Sequence, residues 1–127
     1  MDKLNTAIVA LAVVVASCAS PTTTYDDVAP LPREEQLAVF ASASPTEKAV
    51  IYREHFERLA AREGVTVEQR AALLRSAALV SPDWYALAPN APGWAERVKA
   101  PRDEMERITR AAFGARASSI TMAIGPE

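Results

Sequence analysis

From about Arg33 onward apolar residues return every three or four positions, and no stretch alternates with the period of two that a half-buried strand needs. Ala49, Tyr52, Phe56 and Leu59 fall at helical spacing and mark a buried stripe. Ser44-Pro45-Thr46-Glu47 marks where that helix begins. Serine at the N-cap accepts from a free amide of the first turn. Proline fits the first turn, where its missing donor costs nothing, and Glu47 can reach back to Ser44. The helix is expected to run to Glu63 and stop at Gly64, which adopts left-handed backbone without strain. Arg53 with Glu57, and Glu54 with Arg58, stand four apart and can pair on the wet face.

A second capping box, Thr66-Val67-Glu68-Gln69, opens another helix at once. Val67, Ala71, Leu74 and Ala78 repeat along one face and are expected to be its buried stripe, with Leu73 and Val80 beside it. The short turn predicts that the two helices form an antiparallel hairpin. A shorter helical segment, Arg33 to about Ala41, precedes the pair. Ser81-Pro82-Asp83 opens one more turn carrying Trp84 and Tyr85, after which Pro89, Pro92 and Gly93 break the chain into a loop. Trp94 starts a segment that Pro101 interrupts or kinks. Met105, Ile108 and Ala112 give the next helix its apolar stripe, as far as about Phe113. Arg102 with Glu106, Asp103 with Arg107, and Glu106 with Arg110 cover its other side. Ala115 to Ile124, closed by Gly125 and Pro126, makes a last helix. The expected fold class is all-α, a small bundle of three to five short helices over residues 33–127.

The chain ahead of Arg33 has a different grain. Thr6 through Ser17 is a largely apolar run of 12 residues, well short of the roughly 20 that cross a bilayer as a helix. It follows a short polar start in which Asp2 offsets Lys3, and its length suits a signal peptide. Val15-Ala16-Ser17-Cys18 resembles the lipobox of bacterial lipoproteins: a branched apolar residue, two small residues, then cysteine. That resemblance implies a signal peptide over residues 1–17, a lipid joined to the Cys18 sulfur, and the membrane of the cell envelope as a partner. Ala19, where an aspartate tends to hold lipoproteins at the inner membrane, implies the outer membrane facing the periplasm in a Gram-negative host. An ordinary signal peptide with an incidental cysteine is the alternative. Residues 18–32, rich in proline and threonine, are expected to be a flexible tether, with Asp26 and Asp27 as solvated charges rather than a cation site.

Composition narrows the chemistry. Hydrophobic residues make up 50% of the chain but aromatics only 6%, so alanine must space a few large core residues, an economy that suits close-packed helices. With 14 Lys+Arg against 16 Asp+Glu and no basic run, nucleic acid is not an expected partner. Cys18 is the sole cysteine, which excludes a structural disulfide. His55 is the sole histidine, and its helical neighbours Ile51, Tyr52, Arg58 and Leu59 are not metal ligands, so neither metal nor cofactor is expected. Ser42, Ser44 and Ser81 are hydroxyls that could pair with His55, but no Gly-x-Ser-x-Gly elbow is present. Glu54 and Glu57 each have an arginine four residues away and read as a salt-bridged face rather than an acid–base pair.

Trp84, Tyr85 and Trp94 are the candidate ligand-binding residues. They flank a proline-rich loop, where rings can stack on glycan or peptide; the reading an alanine-rich core favours is that they plug the gap between the hairpin and the C-terminal helices. The expectation is a lipid-anchored, non-catalytic binding or interaction module whose partner is an envelope protein or a cell-wall glycan. An enzyme using His55 is an alternative.

Two resemblances bear on this reading. Glu47-Lys48-Ala49, His55-Phe56, Val65-Thr66-Val67-Glu68-Gln69-Arg70-Ala71, Ser81-Pro82-Asp83-Trp84-Tyr85 and Ala112-Phe113-Gly114 together resemble the helical bacteriocin fulvocin C-related proteins, from about Ser44 to the C-terminus. Members of that family often carry cysteines, whereas this domain has none beyond Cys18. Val65-Thr66-Val67-Glu68-Gln69 alone is similar to the Leu-Thr-x-x-Gln signature of Spy-type periplasmic chaperones, which implies a second alternative, protection of unfolded clients.

Overall fold

The computed structural model describes residues 22–121. The signal-peptide segment, Cys18 and the Gly125-Pro126 stop lie outside them. Among the described residues every regular element is helical. In chain order these are α1 (Tyr25–Val28), α2 (Arg33–Ser42), α3 (Pro45–Ala60), α4 (Val67–Leu79) and α5 (Asp83–Ala86). A π turn (Ala95–Lys99) then leads into α6 (Ala100–Phe113), and a 3-10 turn (Gly114–Arg116) into α7 (Ala117–Thr121). The all-α class therefore holds, with α2, α3, α4 and α6 as the long members.

Both capping boxes form as their sequences require. Ser44 Oγ accepts from the Glu47 amide at 3.1 Å, and Glu47 Oε1 accepts from the Ser44 amide at 2.8 Å. Thr66 and Gln69 exchange the same two bonds, each at 3.1 Å. Each cap contributes about 1 kcal/mol. Helix α3 ends at Ala60, short of the expected Glu63, and the chain turns over through Gly64 at φ 83°. The Arg53 guanidinium donates to the Val80 carbonyl at 2.9 Å, and Arg70 donates to that of Ala60 at 2.9 Å. One bond joins the middle of α3 to the end of α4 and the other the end of α3 to the start of α4, so the two helices run antiparallel. Arg53 is thereby drawn away from the pairing with Glu57 that spacing alone allows, while Arg58 does reach Glu54 at 3.7 Å.

The core lies between α3, α4 and α6. Phe56, Tyr52, Leu73, Ala77, Val80 and Met105 form one buried cluster. The stripe expected on α4 requires correction. Val67 is 78% exposed and Leu74 47% exposed, and Ala71 and Ala78 are exposed with them. The buried face is Ala72, Leu73, Ser76 and Ala77, one position along. Leu73 is 1% exposed and has the largest side chain there; the small residues on either side of it allow α3 and α6 to approach together. Apolar spacing alone favoured the other face because it scored Ser76, fully buried here, as polar.

The tether reading also changes. Thr24 and Asp27 close a capping box of their own around α1. Val28 at its end is 0% exposed and packs with Ile51 of α3, with Tyr25, Val39 and Phe40 around them. Polar contacts fasten the same segment. Glu47 Oε2 accepts from the Thr23 amide at 2.7 Å, Asp26 pairs with Arg58 at 2.9 Å, and the Arg58 guanidinium lies 5.2 Å from the Tyr25 ring centre. The folded domain thus begins by Thr23, not at Arg33, and Asp26 and Asp27 serve its N-terminal edge.

The face of α4 is testable. Leu73→Ala should cost about 2–5 kcal/mol in chemical denaturation, whereas Leu74→Ala should stay within about 0.5 kcal/mol of the parent. Equal losses would contradict the packing described.

Candidate functional site

The elements after α4, with Tyr52 of α3, border a half-open cavity of about 740 Å³. Helix α5 rests on α3 and touches the π turn, while α7 folds back onto α6 across Gly114. Tyr52, Trp84, Tyr85 and Trp94 supply the aromatic wall, and Lys99, Arg102, Asp103, Glu106 and Arg110 the charged one. Both tryptophans and two of the three tyrosines of the chain therefore meet at one place.

The three aromatic residues singled out in the sequence all line the cavity, and they are not equivalent. Trp84 and Tyr85 also pack against the core. Trp84 meets Tyr52 edge-on with ring centres 6.4 Å apart, and Tyr85 meets Phe40 edge-on at 5.8 Å. The Lys48 ammonium lies 5.8 Å from both the Phe40 and Tyr85 rings. Packing and cavity wall are thus the same two residues seen from opposite sides. Trp94, partly buried, lines the cavity without joining that core cluster.

Trp94 owes its place to Pro101. Proline has no amide to close an α-turn, and the backbone widens just ahead of it: the Ala100 amide bonds to the carbonyl of Ala95, five residues back. In an unbroken α-helix, residues five apart differ by roughly 140° around the axis. The π turn brings them back toward the same side, so Trp94 and Lys99 share a wall with Arg102, Asp103, Glu106 and Arg110. Pro101 acts here by widening a turn rather than by ending the helix.

Four of the five charged residues on that wall are already paired with each other. Lys99 Nζ lies 2.7 Å from Asp103, which raises the lysine pKa, and Arg110 lies 3.0 Å from Glu106. The Asp103–Arg107 pair that spacing allows does not form, because Arg107 takes Glu104 at 2.7 Å instead. Arg102 has no carboxylate partner among the described residues; its positive charge is felt at the Tyr52 and Tyr85 hydroxyls. Burial pushes the Tyr85 phenol up to about 12 and raises Tyr52 further still, so both are protonated at neutral pH. Tyr52 donates its proton to the Thr121 carbonyl. Trp84 Nε1 is buried without a hydrogen-bond partner among the described residues.

The basic residues of this wall were read from sequence only as the wet side of a helix. Their common side becomes visible once the apolar stripe of α6 is fixed by Met105, Ile108 and Thr109. Nothing in the sequence indicated that α7 would return to border the same cavity.

His55 stands apart from the cavity. Its Nε2 lies 3.1 Å from the Ile120 carbonyl, and its ring is parallel to that of Tyr52 at 6.1 Å. Ser42 donates to Val39 and Ser44 caps α3, so neither hydroxyl is engaged with it. Among the described residues no group of three His, Cys, Asp or Glu side chains is placed to hold a metal, and no helix is long and apolar enough to cross a membrane.

Burial lowers the His55 pKa from its ordinary 6.5, with nearby Arg62 adding to the effect and the Ile120 bond opposing it. The unfolded chain then binds the extra proton first as pH falls. His55 contributes its full stability above that ordinary value and loses it as pH drops toward the folded value. Stability should therefore fall as the pH drops below about 6.5. His55→Gln, which keeps a donor for Ile120 and cannot titrate in this range, should flatten that slope in urea titrations. An unchanged slope would place its origin elsewhere.

Comparison with protein-family models, with curated proteins and with solved structures found no match.

Proposed function

We propose that this chain is a lipid-anchored binding module of the cell envelope, held to the membrane through Cys18, whose cavity takes a small ligand with a flat ring face. The observation that carries the binding reading is the gathering of four aromatic side chains around one cavity in a chain that has few. A core starved of large residues would gain more by burying Trp94 completely than by leaving it on a cavity wall. The volume falls in the range of sites for small organic ligands, about 300–1,000 Å³. The lipobox-like Val15-Ala16-Ser17-Cys18 supports the anchor, and Ala19 supports the outer membrane facing the periplasm if the host is Gram-negative.

A second reading, a client-protecting chaperone, draws on Val67 and Leu74, which lie exposed on one side of α4. Changing both to glutamate should abolish suppression of client aggregation if that reading holds.

Anchoring is checked by metabolic labelling with radioactive palmitate. The parent should incorporate label, and Cys18→Ala should incorporate none and retain its signal peptide. Ligand capacity is checked by calorimetry with naphthalene-2-carboxamide, an uncharged flat-ring probe. Trp94→Ala should remove binding while costing under about 1 kcal/mol of stability. Trp84→Ala should remove binding and cost about 2–3 kcal/mol, because Trp84 is also part of the packing. A parent that binds no ring probe, charged or uncharged, or a Trp94→Ala variant that binds as well as the parent, sinks the cavity reading.

A further inference from the structure

We infer that the ligand of this cavity is a monoanion, a carboxylate carried on an aromatic or other flat-ring body, with Arg102 as the residue that receives the carboxylate; this rests on the binding reading above. The inference begins with the charge balance of the wall. Lys99, Arg102 and Arg110 bring three positive charges, and Asp103 and Glu106 two negative ones. Lys99 is closed onto Asp103 at 2.7 Å and Arg110 onto Glu106 at 3.0 Å. What remains is the guanidinium of Arg102, with no carboxylate partner among the described residues and two protonated tyrosines within its field. Its fixed fork of donors matches a carboxylate in two parallel bonds.

The same balance decides between anions. A phosphate monoester carries about 1.5 to 2 negative charges at neutral pH. One unit would meet Arg102, and the remainder would face Asp103 and Glu106, whose own cations are already engaged. A single carboxylate leaves the wall neutral.

The hydrogen-bonding groups decide the body of the ligand. A polyhydroxylated glycan needs many free donors and acceptors, and the hydroxyls of this cavity are mostly committed. Thr109 donates to Met105 at 2.8 Å, Thr121 donates to Ala117 at 3.1 Å, and Tyr52 donates to Thr121. The apolar part of the lining is largely tryptophan and tyrosine. A flat ring can stack there, whereas a sugar chain would find few uncommitted hydroxyls among these residues.

The test compares naphthalene-2-carboxylate with naphthalene-2-carboxamide, identical in shape and differing in charge. Both are titrated by calorimetry into the full chain reconstituted in lipid nanodiscs, with empty nanodiscs as the blank. The acid should bind at least about tenfold more tightly than the amide, the margin expected of one charge-assisted contact. Arg102→Gln should erase that margin, Arg102→Lys should restore part of it, and Arg75→Gln on the outer surface should leave it intact. Amide and acid binding equally to the parent, or a margin that survives Arg102→Gln, overturns the carboxylate inference while the cavity reading stands. Tighter binding of naphthyl phosphate or of an N-acetylglucosamine oligomer than of the acid overturns it in favour of those ligands. Absence of binding by every ring probe overturns both readings.

Discussion

Ile51 and Phe56 leave α3 on different sides, roughly 140° apart around its axis, and neither touches solvent. One helix must therefore be covered from two directions. Leu73 and Ala77 of α4, with Met105 of α6, close over Phe56. Val28 closes over Ile51, which is why a segment with the composition of a linker is folded against the domain. Tyr52 and His55 lie on the arc between them, met by the Thr121 and Ile120 carbonyls at the end of α7. With that whole arc covered, α3 is the post around which the other elements find their places.

The cavity is the remainder of that arrangement. Alanine-rich helices approach closely but fill little volume, so the space between α5, the π turn, α6 and α7 is left for large side chains to border. Tyr52 is shared between core and wall, and Trp84 likewise. A molecule that enters touches side chains which also hold the fold together. Occupancy and stability are consequently linked, since anything that binds the folded state alone stabilises it by mass action.

The sequence made some of this legible for identifiable reasons. Ser44 to Glu47 and Thr66 to Gln69 announce helix starts because a capping box is local: its donors and acceptors sit within four residues. The gathering of Trp84, Tyr85 and Trp94 was also readable, since the prolines between them force a loop. The buried face of α4 was not. Alanine and serine carry little preference, so the face was decided by which neighbours come near, a long-range fact. Thr24 and Asp27 had the spacing of a cap, but a four-residue helix leaves no periodicity to reinforce it. Arg102 was hidden for a different reason: spacing shows which carboxylates an arginine can reach, not which of them another cation takes first. Glu106 lies four residues from both Arg102 and Arg110, and the structure gives it to Arg110.

The wide turn ahead of Pro101 has an evolutionary consequence. It holds one residue more than a regular turn, so losing a residue between Ala95 and Lys99 together with Pro101 would let the helix run on as an unbroken α form. Val98, buried within it, would have to find a new seat, but the hairpin would be untouched. Trp94 and Lys99 would then stand four residues apart, roughly 40° around the axis, and would keep to the same side. The length of this segment can therefore drift by one residue among descendants of this chain, provided Pro101 changes with it, while Trp94 keeps its side and no residue of the main core is altered.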